Sequence, residues 1–256
     1  MRLFDTHAHY DDSAFDADRA ALLAALPGRG AARVANMGCD LASSRKAIEL
    51  AEAYPYIYAA VGLHPENAAQ FSDSLPAELA ALAENPRVVA IGEIGLDYHY
   101  PTPDREIQRA AFRAQLALAR DLGLPVCVHS RDAHADTLAI ISEFPGLRGV
   151  MHCYTGAREM AKELTDRGWY IGFTGMVSFK NSKKARLVAE SLPLDRILIE
   201  TDCPYLAPEP YRGRRSDSSM LPFTAAAIAS VRGMDRDELI EATYQNACRF
   251  YGLDPD

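Results

Sequence analysis

Cysteine is sparse and unpaired in this sequence: Cys39, Cys127, Cys153, Cys203 and Cys248 make five, an odd number, with no Cys-x-x-Cys pair among them. They fall mostly in strand-like runs and read as reduced core thiols rather than a disulfide framework. No apolar run approaches the roughly 18 residues a membrane span needs, so no membrane partner is expected. The opening MRLFDTHAHY lacks the basic, apolar and small-residue succession of a secretory leader. With reduced thiols, this sets a cytoplasmic expectation. Basic charge is also in deficit, 27 Lys and Arg against 35 Asp and Glu, for a net charge of −8. That excludes a protein coating nucleic acid by charge alone, since such binding is dominated by Lys and Arg neutralising phosphates. It does not exclude a nuclease, because cations held in a carboxylate cluster reverse the local sign. Nothing in the chain marks a linker, a low-complexity tract or an obligate protein partner.

What the sequence does have is an alternation of short apolar runs with longer amphipathic ones, the pattern of βα units. Strands are expected at 3–9, 32–38, 57–63, 88–95, 125–130, 149–154, 169–175 and 197–202. Helices are expected at 17–26, 41–53, 76–83, 104–122, 157–167, 182–191, 222–231 and 235–251. In the clearest of them Ile107, Ala111, Ala114, Leu118 and Leu122 recur at helical spacing, with Asp104 to cap the start and Gly123 to end it. The near-continuous apolar run Val88-Val89-Ala90-Ile91 suits a parallel sheet covered by helices. An open doubly wound sheet would carry a Gly-rich turn after an early strand, where this chain has THAHYDD. The expected fold is therefore a single (β/α)₈ TIM-like barrel with an extra C-terminal helix, one domain over all 256 residues.

Active sites of parallel barrels lie at the carboxyl ends of the strands. The first strand ends in His7-Ala8-His9, whose imidazoles share a face because strand side chains alternate. The fourth carries Glu93, the fifth ends at His129, the sixth at His152 and the eighth at Asp202. So many ionisable groups in one partly buried place are costly without a counter-charge, which a divalent cation supplies. Nitrogen and oxygen donors without a thiolate set suit Mg, Mn, Zn or Fe, and six ligands exceed one tetrahedral site. Two divalent ions are expected, one among His7, His9, Glu93 and Asp202, the other among Glu93, His129 and His152. Cys153 and Cys203 alternate away from this face, and Glu200, one layer deeper, is expected to orient a neighbour. His99 and His134 fall in loop-like positions.

The residues then resemble the TatD-type metal-dependent deoxyribonucleases of the amidohydrolase superfamily. The likeness rests on DTHAHYD, GLHP around His64, GEIGLDYH around Glu93, PVCVHSRDA around His129, MHCYTG around His152 and ETDCPYLAP around Asp202, followed by YRGRR. It implies a TIM-like barrel, a divalent-metal centre at the six residues, and hydrolysis of DNA from an end with 3′ to 5′ polarity. It also gives His64 a role at phosphate or the leaving group. One departure stands out: an Asn-Glu-Pro turn usual after the basic pair is replaced by Ser216-Asp217-Ser218. Losing proline is expected to loosen this loop, with substrate preference affected.

Asp202, Glu93 and His64 are thus the catalytic candidates. Arg131, with Arg212, Arg214 and Arg215, is a candidate for holding phosphate, and Tyr98 and Tyr154 for stacking on an end base. The alternative is a hydrolase on the same scaffold acting on a small amide or ester, or on D-aminoacyl-tRNA. A binding protein on a retired barrel would show broken ligand sets, and none of the six is broken.

Overall fold

Ten consecutive residues of the fourth strand, Val88–Asp97, are buried, as expected of a parallel strand covered on both faces. The structure, a computed structural model, describes residues 2–255. Its strands are β1 Leu3–Ala8, β2 Ala31–Met37, β3 Ile57–Val61, β4 Val88–Asp97, β5 Val126–Arg131, β6 Gly149–Met151, β7 Tyr170–Phe173 and β8 Ile197–Ile199. They form one eight-stranded sheet in sequential order. The helices are α1 Arg19–Ala25, α2 Leu41–Ala53, α3 Leu75–Ala83, α4 Arg105–Leu122, α5 His134–Ser142, α6 Arg158–Asp166, α7 Lys183–Ser191, α8 Leu221–Arg232 and α9 Arg236–Tyr251. The fold is a parallel (β/α)₈ barrel with α9 as the additional C-terminal helix.

The chain divides into two compact units, Met1–Asn36 with Cys153–Asp256, and Met37–His152. In the first, β1 pairs in parallel with β2, β7 pairs with β8, and Ala8 bridges Cys203. Helix α9 packs against β1 and β8. The Phe4 ring stacks on Tyr251 at 5.5 Å, and the Tyr251 hydroxyl donates to the Thr6 carbonyl at 2.7 Å, which fixes β1 from behind. In the second unit β3, β4, β5 and β6 pair in parallel succession, with α2 against β3 and α4 against β4.

Helix α4 shows what apolar periodicity misses. Asp104 caps it by accepting from the Glu106 N–H, and Gly123 ends it in the left-handed region at φ 69°, as the sequence suggests. Its buried face, however, is Gln108, Ala111, Phe112, Gln115, Leu116 and Ala119, while Ile107 and Leu122 are exposed. Two glutamines turn inward because each satisfies buried backbone: Gln115 bonds the N–H and the carbonyl of Leu63, and Gln108 those of Asp97. A second correction concerns His134, which opens α5 rather than lying in a loop. Among the described residues no helix is long and apolar enough to cross a membrane.

Candidate metal centre

Strand β1 is buried throughout and delivers His7, with His9 just beyond its end. The two Nε2 atoms lie 3.2 Å apart, so the shared face expected from alternation is what the structure places there. Asp202 Oδ1 stands 3.8 Å from His7 Nε2 and 3.4 Å from His9 Nε2. The donor atoms of all three residues fall within 4.8 Å of one another. Asp202 arrives there not as a strand residue but after β8 has ended, with φ 58° in the left-handed region. That turn breaks the alternation that would align it with Glu200. Glu200 is fully buried, where its Oε1 accepts the Cys153 N–H at 2.7 Å; Cys153 is likewise left-handed, with φ 44°. Glu200 thus holds a backbone bend next to His152.

The second unit holds a second cluster, centred on one atom. Glu93 Oε1 is 3.1 Å from His129 Nδ1, 3.6 Å from His64 Nε2 and 4.0 Å from His152 Nε2. Glu93 and His152 are buried, and His64 nearly so. His64 is oriented locally: its Nδ1 accepts the Glu66 N–H, capping the 3₁₀ turn Pro65–Gln70, which leaves Nε2 facing Glu93. On the far side of His129, Nε2 lies 2.9 Å from Asp97 Oδ2. Burial works to lower the His129 pKa, yet hydrogen bonds to Asp97 and Glu93 outweigh it and push the pKa up to about 9. Burial also opposes the charge on Asp97, but His129 and the His99 N–H hold its pKa below the ordinary carboxylate value. Both clusters offer only imidazole nitrogen and carboxylate oxygen, and both demand positive charge. Two imidazole nitrogens 3.2 Å apart repel unless a proton or a cation lies between them, and a carboxylate among three imidazoles is the donor set of a divalent ion. The residues present fit such ions.

Other sequence candidates are placed differently. Tyr98 is committed to an ionic cluster: its hydroxyl donates to Asp136 at 2.8 Å and accepts from Arg109, and Arg105 lies 4.3 Å from its ring centroid. Tyr154 is buried, with its hydroxyl on the Ala157 carbonyl. Arg215 pairs with Asp18, Arg212 lies over the Phe179 ring at 4.4 Å, and Arg131 is exposed, 5.5 Å from the Tyr100 ring centroid. The serine loop is pinned rather than loosened. Ser216 and Ser218 are fully buried, and the Ser218 Oγ donates to Asp5 Oδ2 at 2.6 Å. The Ser218 N–H donates to the Tyr10 hydroxyl at 2.8 Å. Asp5 also accepts from the Thr201 N–H and hydroxyl, and burial, offset by these bonds, pushes its pKa up to about 6. Asp5 and Asp97 escaped the sequence reading. For Asp97 a signal existed, since Glu93, Gly95 and Asp97 share one parity along β4.

Fold and donor sets together define a class, the metal-dependent hydrolases built on a (β/α)₈ barrel. The model of the TatD related DNase family matches residues 4–252, and the chain belongs to that family. It is 39% identical over 253 residues to the metal-dependent hydrolase YabD of Bacillus subtilis, covering 98% of this chain and 99% of that one. It is 38% identical over 261 residues to the 3′-5′ ssDNA/RNA exonuclease TatD of Cronobacter sakazakii, covering 97% of each. Among solved structures, the TatD homolog YjjV of Escherichia coli K12 matches with a TM-score of 0.92 at 30% identity, covering 99% of both chains.

Proposed function

We propose that this protein hydrolyses phosphodiester bonds of DNA from a 3′ end, with one divalent ion held at each histidine–carboxylate cluster. His7, His9 and Asp202 hold one ion; Glu93, His129 and His152 hold the other, with His64 beside them. The observation that carries the reading is the convergence of three imidazoles on Glu93 Oε1, at 3.1, 3.6 and 4.0 Å, in a buried setting that burial alone would disfavour. The exonuclease name carried by the 38% identical relative supports the substrate class.

A divalent ion in such a site supplies charge for a phosphoryl oxygen and acidifies water. The chain's own residues supply the rest. Asp202 is the most solvent-open carboxylate of the two clusters, with 18% of its side chain exposed against 4% for Glu93, so its oxygens are the ones able to orient an attacking water and take its proton. To His64, whose Nε2 lies 3.6 Å from Glu93 Oε1, we assign donation to a phosphate oxygen or to the leaving group. Arg131 and Arg212, both exposed, offer guanidinium groups for phosphate. Tyr205, 56% exposed and three residues past Asp202, offers a free ring face for a terminal base, which Tyr98 does not.

The test is a substrate panel with protein stripped by chelator and resupplied with Mg, Mn or Zn. End-labelled single-stranded DNA, duplex DNA, RNA, D-aminoacyl-tRNA and small esters are compared. Shortening of the single strand from its 3′ end, dependent on added metal, is the expected outcome. Turnover of small esters or amides alone refutes the nuclease reading.

A further inference from the structure

A histidine that binds a metal through one nitrogen must carry its proton on the other, and what that second nitrogen faces decides which is which. For His129 the two sides are chemically distinct. Nδ1 is 3.1 Å from Glu93 Oε1, inside the imidazole cluster; Nε2 is 2.9 Å from Asp97 Oδ2, outside it. Asp97, 2% exposed, is the last residue of β4, and its other oxygen accepts the His99 N–H at 2.9 Å. Its backbone is clamped by the buried Gln108, whose Oε1 accepts the Asp97 N–H and whose Nε2 donates to the Asp97 carbonyl, both at 2.8 Å. A third bond from Gln108, to the Pro103 carbonyl at 2.9 Å, ties the following loop to the same amide. The clamp satisfies the buried backbone of Asp97, as Gln115 does for Leu63, and it also immobilises the residue that carries the carboxylate. It makes sense as a rigid mount for one carboxylate.

We infer that Asp97 is a positioning residue for His129: it accepts the Nε2 proton, fixes the ring, and leaves the Nδ1 lone pair directed into the Glu93 cluster for a divalent ion. The inference rests on the metal-centre reading above. An ionised carboxylate accepts hydrogen bonds and donates none, and both Asp97 and Glu93 face the ring; with a cation taking the Glu93 side at Nδ1, the neutral ring's one proton lies on Nε2, toward Asp97. The same bond makes Nδ1 a stronger donor to a cation. Removal of such an outer partner typically weakens metal binding by about 10–100-fold.

The test measures Zn²⁺ binding by titration calorimetry in the full-length chain, as wild type, Asp97→Asn, His129→Ala and the double variant, with circular dichroism to confirm folding. Asp97→Asn is expected to weaken one binding event by about 10–100-fold and leave the other unchanged. In the His129→Ala background the same substitution is expected to have no further effect, which a general loosening of the fold would not reproduce. Long-range ¹H–¹⁵N spectra of Zn-loaded wild type provide a check that needs no variant, and are expected to place the His129 proton on Nε2. A proton on Nδ1 in the loaded protein, unchanged affinity in Asp97→Asn, or equal losses in both backgrounds overturns the role of Asp97. Wild-type protein that binds no Zn²⁺ overturns the metal-centre reading and this inference with it.

Discussion

Ser218 shows how a single residue recasts a loop. A proline at this position would have neither the hydroxyl that reaches Asp5 Oδ2 nor the N–H that reaches the Tyr10 hydroxyl. Asp5 in turn accepts from Thr201, so these side chains join β1 to the segment that carries Asp202. Ser218→Ala removes one donor from a fully buried carboxylate, and is expected to cost about 1–3 kcal/mol in urea unfolding, the range for a buried acceptor losing its partner. An unchanged midpoint would show the bond to be worth nothing net. Tyr205 stands at the opposite extreme, exposed, with its hydroxyl on Asp12 Oδ2 at 3.0 Å. If it stacks a terminal base, Tyr205→Ala loses about 1–3 kcal/mol of binding, a roughly 5–150-fold weaker KM for single-stranded DNA with stability unaltered. An unaltered KM removes it from the substrate path.

At the scale of elements, β4 and β5 approach each other more closely than side chains permit. Gly95, opposite His129 in the register, has φ 141°, and a Cβ there would sit 2.0 Å from the His129 carbonyl oxygen. Gly95→Ala is therefore expected to destabilise by at least about 1–3 kcal/mol and to weaken metal binding through His129, measured by thermal melting and by calorimetry. Wild-type values for both would contradict this account of the strand pair. The tie between α4 and α5 is ionic, with Tyr98 and Arg109 on Asp136 holding its pKa below the ordinary value. A carboxyl shifted down stabilises the fold above its unfolded pKa and loses that contribution as pH falls through the folded one. Asp136→Asn should thus cost about 0.5–1 kcal/mol near neutrality, small because the group is partly exposed, and the gap to wild type should close as pH falls through the lowered folded pKa of Asp136. A gap independent of pH would point to packing instead. Much of this level was legible beforehand. The eight strands and the caps at Asp104 and Gly123 follow from alternation, apolar runs and turn chemistry. The α4 face was not, because Gln108 and Gln115 count as outward residues until the backbone groups they serve are seen. Strand ends were overextended at His152 and Asp202 for a related reason: left-handed turns at Cys153 and Asp202 leave no mark on hydrophobicity.

Across the whole molecule, the proposed cations would reconcile a net charge of −8 with two histidine–carboxylate clusters, one largely buried and one partly open. The six candidate donors stand at the strand ends, where a barrel keeps its chemistry, and the structure gathers them into two clusters. The residues around them were harder to see: Asp97 left a signal in the parity of β4, whereas the partners of Asp5 and Gln108 emerge only in the fold. Cations that bind only the folded state raise its stability by mass action, about 2.7 kcal/mol for an ion at 100 times its dissociation constant. The most direct test of the central claim is a metal count by elemental analysis on wild type and Glu93→Ala, with 3′-end cleavage of single-stranded DNA followed on the same samples. Two divalent ions per wild-type chain, at most one in the folded variant, and cleavage lost with the missing ion are the results expected. A variant that keeps both ions, or keeps cutting without them, would contradict the account.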